Sequence, residues 1–371
     1  MRVLIVAESF LPNVNGVTTS VCRVLEHLRA TGHEACVIAP GARPFQEEIP
    51  QYAGFDIHRV PTVMMPRINS LPIGVPTREA GRIMRDYAPD VVHVASPFAL
   101  AGRAIFRARA LGLPVVAVYQ TDVAGFAQRY RLQALTRASW AWTRAMHNAA
   151  TRTLAPSTAA AAALHRHGIR NIHLWGRGVD TELYHPDARS DTTRARWGIP
   201  HGTPIVGYVG RLAAEKGVHR LAALADRRDL ALVIVGDGPE RARLQQLLPD
   251  AVFTGALHGE ELARAYAAMD VFVHPGEFET FCQTIQEAHA SGTPTIAPRA
   301  GGPIDLVRHG VDGALLDIDT FTRDLPGSVD MLLARGAQAR RASRAAVAGR
   351  TWAHITEELL GHYADAIATR V

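Results

Sequence analysis

The sequence predicts an α/β protein made of two tandem, doubly wound parallel-sheet domains of Rossmann-like type, facing each other across a cleft. Three observations point there. The chain is 371 residues long, beyond the size at which one hydrophobic core usually stops growing, and 47% of its residues are hydrophobic, so two cores can be filled. Short apolar runs alternate with amphipathic stretches in both halves. That alternation stops around HPDARSDTTRARWGIPHGTP, residues 185–204, where Pro, Asp, Arg and Gly cluster as in a linker. The expected domains are residues 1–185 and 186–371.

In the first half the strand candidates are VLIVA (3–7), ACVIA (35–39), VVHVA (91–95), VVAVY (115–119) and RTLAP (152–156). Between the first two lies a helical pattern in which Val17, Val21, Val24, Leu25 and Leu28 share one face at 3.6-residue spacing. After the linker the strands resume as IVGYVG (205–210), ALVIVG (231–236), AVFTGA (251–256), DVFVHPG (270–276) and TPTIAP (293–298). The last fifty residues, rich in Ala and Arg, read as helices that finish the second domain, or whose final member packs back on the first.

Composition narrows the function. No apolar run approaches the roughly 20 residues of a membrane span, and the opening MRVLIVAES turns polar too soon for a signal peptide, so a cytoplasmic protein is expected. Cys22, Cys36 and Cys282 are too few and too scattered for a disulfide framework or a zinc site and are expected to be buried or incidental thiols. Residues 1–185 carry 20 Arg against 12 acidic residues, a net charge of +8, whereas residues 186–371 carry 20 basic against 23 acidic, a net charge of −3. The halves are thus expected to meet different partners. Aromatic residues are sparse and not interleaved with the arginines, which argues against a nucleic-acid surface.

Of the 40 basic residues, 39 are Arg and one is Lys216, in GRLAAEKGV (210–218). The bias fits codon pressure that replaces lysine wherever arginine serves, and so marks Lys216 for attention. Arg211 and Lys216 follow the first strand of the second half, where ligands of open parallel sheets gather. Two cations there can neutralise a diphosphate and stabilise it as a leaving group; a compact ammonium on a flexible stem can sit between oxygens of both phosphates. In HPGEFETFCQTIQEAHASGTP (274–294), Thr280 and Gln283 form a T-x-x-Q pattern that predicts a capping box, placing the amides of residues 281–283 at a helix N-terminus suited to phosphate. Glu279 and Glu287 flank that point, roughly 12 Å apart at helical rise. Carboxylates for sugar hydroxyls at both ends and amides for phosphate in the middle match a nucleotide sugar, although Glu-x7-Glu alone equally describes a solvated helix face.

GRLAAEKG, VIVGDGPE (233–240) and EFETFCQTIQEAHASGTP together resemble the signature of retaining glycosyltransferase family 4, whose members have the two-domain glycosyltransferase-B fold. AESFLPNVNGV (7–17) resembles the family's N-terminal glycine loop, and the likeness spans nearly the whole chain. Within the family the chain is most similar to actinobacterial GDP-mannose-dependent α-mannosyltransferases that act on glycolipids, on the strength of ESFLPNVNGVTTSVCRVLEHL, YQTDVAGFAQRY and HPGEFETFCQ, where most relatives have Gly at the position of Cys282. The resemblance implies that Arg211 and Lys216 bind the donor diphosphate, that Glu279 and the backbone of Phe281, Cys282 and Gln283, beside Thr280, hold sugar and phosphate, and that Glu287 takes the ribose. It implies further donor contacts at Gly16, Gly236, Gly238 and Leu257, with the base read largely by backbone between Gly255 and His258. The family often has His where YQTD has Gln120, so a histidine base is not expected there; Asp122 is the nearby ionisable candidate, or else a helix N-cap.

Other motifs carry less. G-x-G at Gly236 and Gly238 is followed by Arg241 where a dinucleotide fingerprint needs its third glycine. Asp317 and Asp319 form D-x-D, which reads better as turn and cap carboxylates, and with Arg211 and Lys216 supplying charge no metal or other cofactor is expected. His93 is either an acceptor-cleft residue or an ordinary strand-end histidine. Arg78, Arg82 and Arg85 share one helix face, with Arg107 and Arg109 further on; the stripe is either a solvated face or a rest for anionic lipid headgroups on the inner membrane face. The resulting expectation is a metal-independent, retaining transfer of α-mannose from GDP-mannose to an anionic lipid-linked acceptor. The alternatives are a UDP-sugar, such as UDP-N-acetylglucosamine, with a soluble polyol or natural-product acceptor, a nucleotide-sugar-binding protein without transfer, and an epimerase.

Overall fold

The computed structural model describes residues 1–13, 15–42, 46–64, 72–75, 78–95, 98–120 and 133–369. The chain forms two compact units, Met1–Arg177 with Trp352–Val371, and Gly178–Thr351.

The first unit holds strands β1 (Arg2–Ala7), β2 (Glu34–Pro40), β3 (Gln51–Tyr52), β4 (Phe55–Val60), a hairpin of β5 (Thr62–Met64) and β6 (Pro72–Gly74), then β7 (Val91–Ala95), β8 (Val115–Val118), β9 (Arg152–Ala155) and β10 (Ile172–Leu174). Its main sheet runs in the order β10-β9-β8-β7-β1-β2-β4-β3, parallel except where β3 meets β4. The central strands are buried along their whole length because helices cover both faces, which is why they read as unbroken apolar runs. On one face Val21, Val24, Leu25 and Leu28 of helix Gly16–Ala30 and Ile355, Leu359 and Tyr363 of helix Trp352–Ala368 pack with Val3, Ile5 and Val37. On the other, Met84 of helix Arg78–Tyr87 and Leu100, Ala104 and Ile105 of helix Leu100–Ala110 pack with Leu4, Val6 and Val92.

The second unit holds β11 (Ile205–Val209), β12 (Ala231–Val235), β13 (Val252–Gly255), β14 (Val271–Val273), β15 (Thr295–Pro298) and β16 (Gly313–Leu316), in the order β13-β12-β11-β14-β15-β16, all parallel. The chain winds outward from β11 in one direction and then from β14 in the other, so the topological switch point falls between these two neighbours.

The division differs from the expected 185/186 boundary. Val179 donates its backbone N–H to Arg350 at 2.8 Å and packs with Tyr184 in the second core, so the segment after Arg177 already belongs to the second unit. Part of the expected linker is ordered, with a helix at Asp191–Arg196 capped by Ser190. The final helix is built into the first core.

His93 does not lie at a strand end. It sits mid-strand in β7, aligned with Ile5 and Val116, 1% exposed, its Nδ1 2.7 Å from the Tyr363 hydroxyl and its ring edge-on to Tyr363 and Trp175. Burial pushes its imidazole down to about 3, so the ring is a neutral core partner and not a surface for an acceptor. Tyr363→Phe strands that nitrogen and is expected to cost about 1–3 kcal/mol in urea unfolding. The three cysteines are free and buried, as a small apolar side chain prefers.

Candidate active site

The switch point brings together two strand-end loops, Gly210–Val218 after β11 and His274–Cys282 after β14. The first loop is held by backbone. Gly210 donates to Val235, Leu212 donates to Asp237, and the Arg211 carbonyl accepts from the Tyr208 hydroxyl at 3.0 Å. Gly236 and Gly238 are needed for this contact. A Cβ on Gly236 would lie 1.9 Å from the Gly210 carbonyl oxygen, and one on Gly238 2.3 Å from that of Leu212. Both glycines thus support the Arg211 loop from beneath.

Lys216 ends a short 3-10 turn, Ala214–Lys216, closed by Gly217 at φ +63°. Its Nζ donates to Glu279 Oε1 at 2.5 Å, while the Arg211 guanidinium pairs with Glu215. Arg220 donates to the Pro275 carbonyl at 2.8 Å and meets Glu277 at 3.2 Å, which ties the two loops together. Behind Glu279 the loop Arg299–Pro303 packs backbone to backbone: Gly302 donates to the Glu279 carbonyl at 2.8 Å.

The expected capping box does not form. The helix begins at Gln283, its N-cap is Cys282 at φ +86°, and the Cys282 side chain makes no capping bond; Gln283 Nε2 donates instead to the Gly178 carbonyl at 2.9 Å. The left-handed turn at Cys282 delays the helix, so its first helical amides begin at Gln283 and not at Phe281. Phe281 and Cys282 are buried, and Thr280 lies in the loop before them. One turn on, Glu287 accepts from the Tyr266 hydroxyl at 2.8 Å, and burial pushes its carboxyl up to about 7. Leu257 packs on the second core and lines a cavity of about 330 Å³ with Trp197 and Phe253.

His274, which the sequence reading passed over as part of a His-Pro-Gly loop, lies buried beside Glu279. Burial alone would raise the Glu279 carboxyl and lower the His274 imidazole. The neighbours outweigh it: His274 and Lys216 hold Glu279 down to about 2, while Cys282 and Glu279 push His274 up to about 9. His274, Glu279 and Cys282 are, among the described residues, the one group of three potential metal-binding side chains within 4.8 Å of one another. The Lys216 ammonium and the His274 ring both approach Glu279 Oε1, at 2.5 and 3.3 Å.

In the first unit, Gly16 begins the helix capped by Asn15, and a Cβ there would lie 2.8 Å from an Arg177 guanidinium nitrogen. Arg177 in turn donates to Gln120 Oε1 at 2.9 Å, so Gly16, Gln120 and Arg177 form one cluster, of which the sequence reading missed the arginine. Asp122 lies outside the described residues. Glu8, at the end of β1, accepts the Phe98 and Ala101 amides at 3.1 and 2.8 Å and so fixes the start of helix Leu100–Ala110. Arg78, Arg82 and Arg85 are exposed, as a stripe requires, but Arg82 turns to Glu79 at 3.7 Å. Arg78 and Arg85 join Arg103 and Arg107 around a groove of about 340 Å³ that no acidic side chain lines among the described residues. The Asp317 backbone carbonyl accepts the Thr320 amide at 3.1 Å, which closes a turn there, while its carboxylate meets Arg299 at 3.4 Å and makes no cap among the described residues. No helix among the described residues is long and apolar enough to cross a membrane.

Residues 14–183 match the family described as Glycosyltransferase Family 4, and residues 189–347 match Glycosyl transferases group 1. A GDP-mannose-dependent alpha-mannosyltransferase of Corynebacterium glutamicum is 58% identical over 370 residues, covering 99% of this chain and 90% of that one. A protein of the same name from Mycolicibacterium smegmatis is 56% identical over 373 residues, covering 100% and 99%. A GDP-mannose-dependent alpha-(1-6)-phosphatidylinositol dimannoside mannosyltransferase of Mycobacterium tuberculosis is 30% identical over 318 residues, covering 83% and 82%. Among solved structures, Anabaena Alr3699/HepE in complex with UDP superposes with a TM-score of 0.81 over 98% of this chain and 100% of that one, at 20% identity, a likeness of fold. Two parallel sheets of this kind define the glycosyltransferase-B architecture of sugar-transferring enzymes. The chain belongs to glycosyltransferase family 4 and is a hexosyltransferase.

Proposed function

We propose that this protein transfers a mannosyl residue from GDP-mannose to an anionic, lipid-linked acceptor, with retention of configuration and without a metal ion. The observation that carries the reading is the pairing of Lys216 with Glu279 at the sheet's switch point, in a chain 58% identical to a GDP-mannose-dependent alpha-mannosyltransferase. Lys216 and Arg211 would neutralise the diphosphate, Glu279 would accept from hydroxyls of the sugar, and Glu287 from those of the ribose. As the bond from the anomeric carbon to the diphosphate oxygen breaks, the acceptor hydroxyl attacks from the same face, and its proton passes to the departing diphosphate. The two cations supply the charge that a metal ion would otherwise bring.

The acceptor side rests on the first unit. Its arginine groove fits phosphate-bearing lipid, each arginine contributing about 1 kcal/mol near an anionic surface. Phe106, on the same helix as Arg103 and Arg107, and Trp142 are exposed with ring centroids 5.9 Å apart, as aromatic residues are at a membrane interface. This supports peripheral attachment at the inner membrane face. The double variant Arg103→Glu, Arg107→Glu is expected to weaken cosedimentation with phosphatidylglycerol vesicles about tenfold or more. Unchanged binding would remove the groove from the reading.

The test of the function is to supply GDP-mannose with chelator and an anionic glycolipid extract, and to read the product's anomeric configuration by NMR. An α-mannosylated lipid is expected. Consumption of a UDP-sugar in place of GDP-mannose would overturn the donor, a β-linked product the mechanism, and loss of transfer with chelator the metal independence.

A further inference from the structure

His274 directly follows β14 and is 2% exposed, yet neither ring nitrogen makes a hydrogen bond among the described residues. A buried polar group left in this way calls for a reason. The ring is not there by default, because room has been made for it: a Cβ on Gly276 would lie 3.1 Å from its Nε2. Nε2 approaches Glu279 Oε1 to 3.3 Å without the alignment of a hydrogen bond, and Lys216 Nζ reaches that same oxygen at 2.5 Å. Glu279 Oε2 takes no hydrogen bond from any described residue. Two cationic groups thus converge on one oxygen of the carboxylate and leave the other open.

We propose that His274 is a positioning residue for the donor sugar: as an imidazolium wedged against Oε1 it fixes the rotation of the Glu279 carboxylate, so that Oε2 is the oxygen presented to a sugar hydroxyl. This rests on the reading of Glu279 as the residue that holds the sugar. Lys216 alone cannot do it, since an ammonium on a flexible stem lets the carboxylate swing about a single contact. A second cation against the same oxygen removes that freedom before the donor arrives, which is how a site gains precision without adding a contact to its ligand.

The charge state supports this arrangement. The groups around the ring are Glu279 and Cys282 on its own loop, Tyr208 on β11, whose ring stacks at 6.5 Å, and Lys216 on the loop after β11, which shares Glu279 Oε1 with it; Arg211 and Glu215 of that loop act on Tyr208 behind it. Burial opposes a charged imidazole, but Cys282 and Glu279 outweigh it and keep the proton on up to about pH 9. The folded-state value is raised, so the imidazolium is in place throughout the neutral range and is lost as pH rises through about 9.

The test compares two ligands that differ only in the sugar. Calorimetry on His274→Gln, whose amide fills similar space but cannot carry charge, is expected to show GDP-mannose affinity down about tenfold, as for loss of a charged contact, with GDP affinity within about twofold. In the unmodified protein the preference for GDP-mannose over GDP is expected to fall between about pH 8 and 10, and in His274→Gln to stay flat. Equal loss of both ligands in a variant with an unchanged melting temperature would overturn the proposal. So would a flat ratio in the unmodified protein, a measurement that needs no variant to fold. Failure of the donor reading looks different: the protein would then bind UDP in place of GDP, and the same comparison between UDP and its sugar conjugate would decide the role of His274.

Discussion

Lys216→Ala is expected to lower transfer about 10²- to 10³-fold, more in kcat than in donor affinity. The reason lies in where charge grows. As the bond to the sugar stretches, negative charge builds on the leaving diphosphate, and an ammonium already held in place stabilises that state more than the bound donor. Lys216 is held so by Glu279 at 2.5 Å and by a turn that Gly217 closes against the Pro275 carbonyl. Lys216→Arg is expected to recover little, because a planar guanidinium needs a fixed pair of acceptors and the space is narrow: a Cβ on Gly276 would lie 3.4 Å from the Lys216 Cα. The fold is expected to survive, since Glu279 retains His274 and the pair is partly exposed, so the stability lost is about 1 kcal/mol or less. Steady-state kinetics with GDP-mannose and a thermal melt decide it; a kcat within a few-fold of the unmodified enzyme's would remove Lys216 from the chemistry.

Gly302→Ala is expected to be as damaging without touching a charge. Gly302 has ordinary helical dihedrals, φ −61°, so alanine fits the backbone conformation there. What it does not fit is the space: its Cβ would lie 2.2 Å from the Phe281 carbonyl oxygen and 2.4 Å from the Phe281 Cα. Backbone cannot turn aside as a side chain can. The loop carrying Glu279 and Phe281 must shift, at about 1–3 kcal/mol of strain, and a displacement near 1 Å in a positioning loop costs about 10² in rate. Gly327→Ala, in helix Phe321–Ala346 with nothing within 4 Å of its Cβ, serves as the matched control and is expected to leave activity unchanged and raise stability slightly. Equal activity in the two variants would show that the loop tolerates the shift.

Apart from AVFTGA, which forms the edge strand β13, the strands that could be read in the sequence were those inside the two sheets, because a parallel strand covered on both faces must be apolar at every position. VVHVA and IVGYV are examples, and β7 and β11 lie there. FDIHRV hid in plain view as β4: it lies next to the sheet's edge, is buried only at alternate stretches, and carries Asp, His and Arg. Of the candidate site, Lys216 and Glu279 were legible as charges in strand-end loops, and Glu287 as a charge on the helix that follows. His274 was not, since only the fold lays it under Glu279. Gly302 likewise looks like a loop residue until the backbone of Phe281 lies on it. The capping box misled because its spacing is visible and the left-handed turn at Cys282 is not. His93 misled for a longer-range reason, its partner Tyr363 standing 270 residues away.

That partner belongs to a helix with a further consequence. The chain leaves the first unit after Arg177 and re-enters it after Thr351, and the two ends of the intervening segment lie side by side, Val179 bridged to Thr351. Ile355, Leu359 and Tyr363, which complete the first core, are therefore translated after the whole of the second unit. On the ribosome every residue of the second unit has been made before the helix that seals the first sheet exists. Domains usually mature in the order of their synthesis. Here the unit begun first is finished last, and a nascent chain halted before Trp352 would carry a complete second unit beside a first one still open along one face.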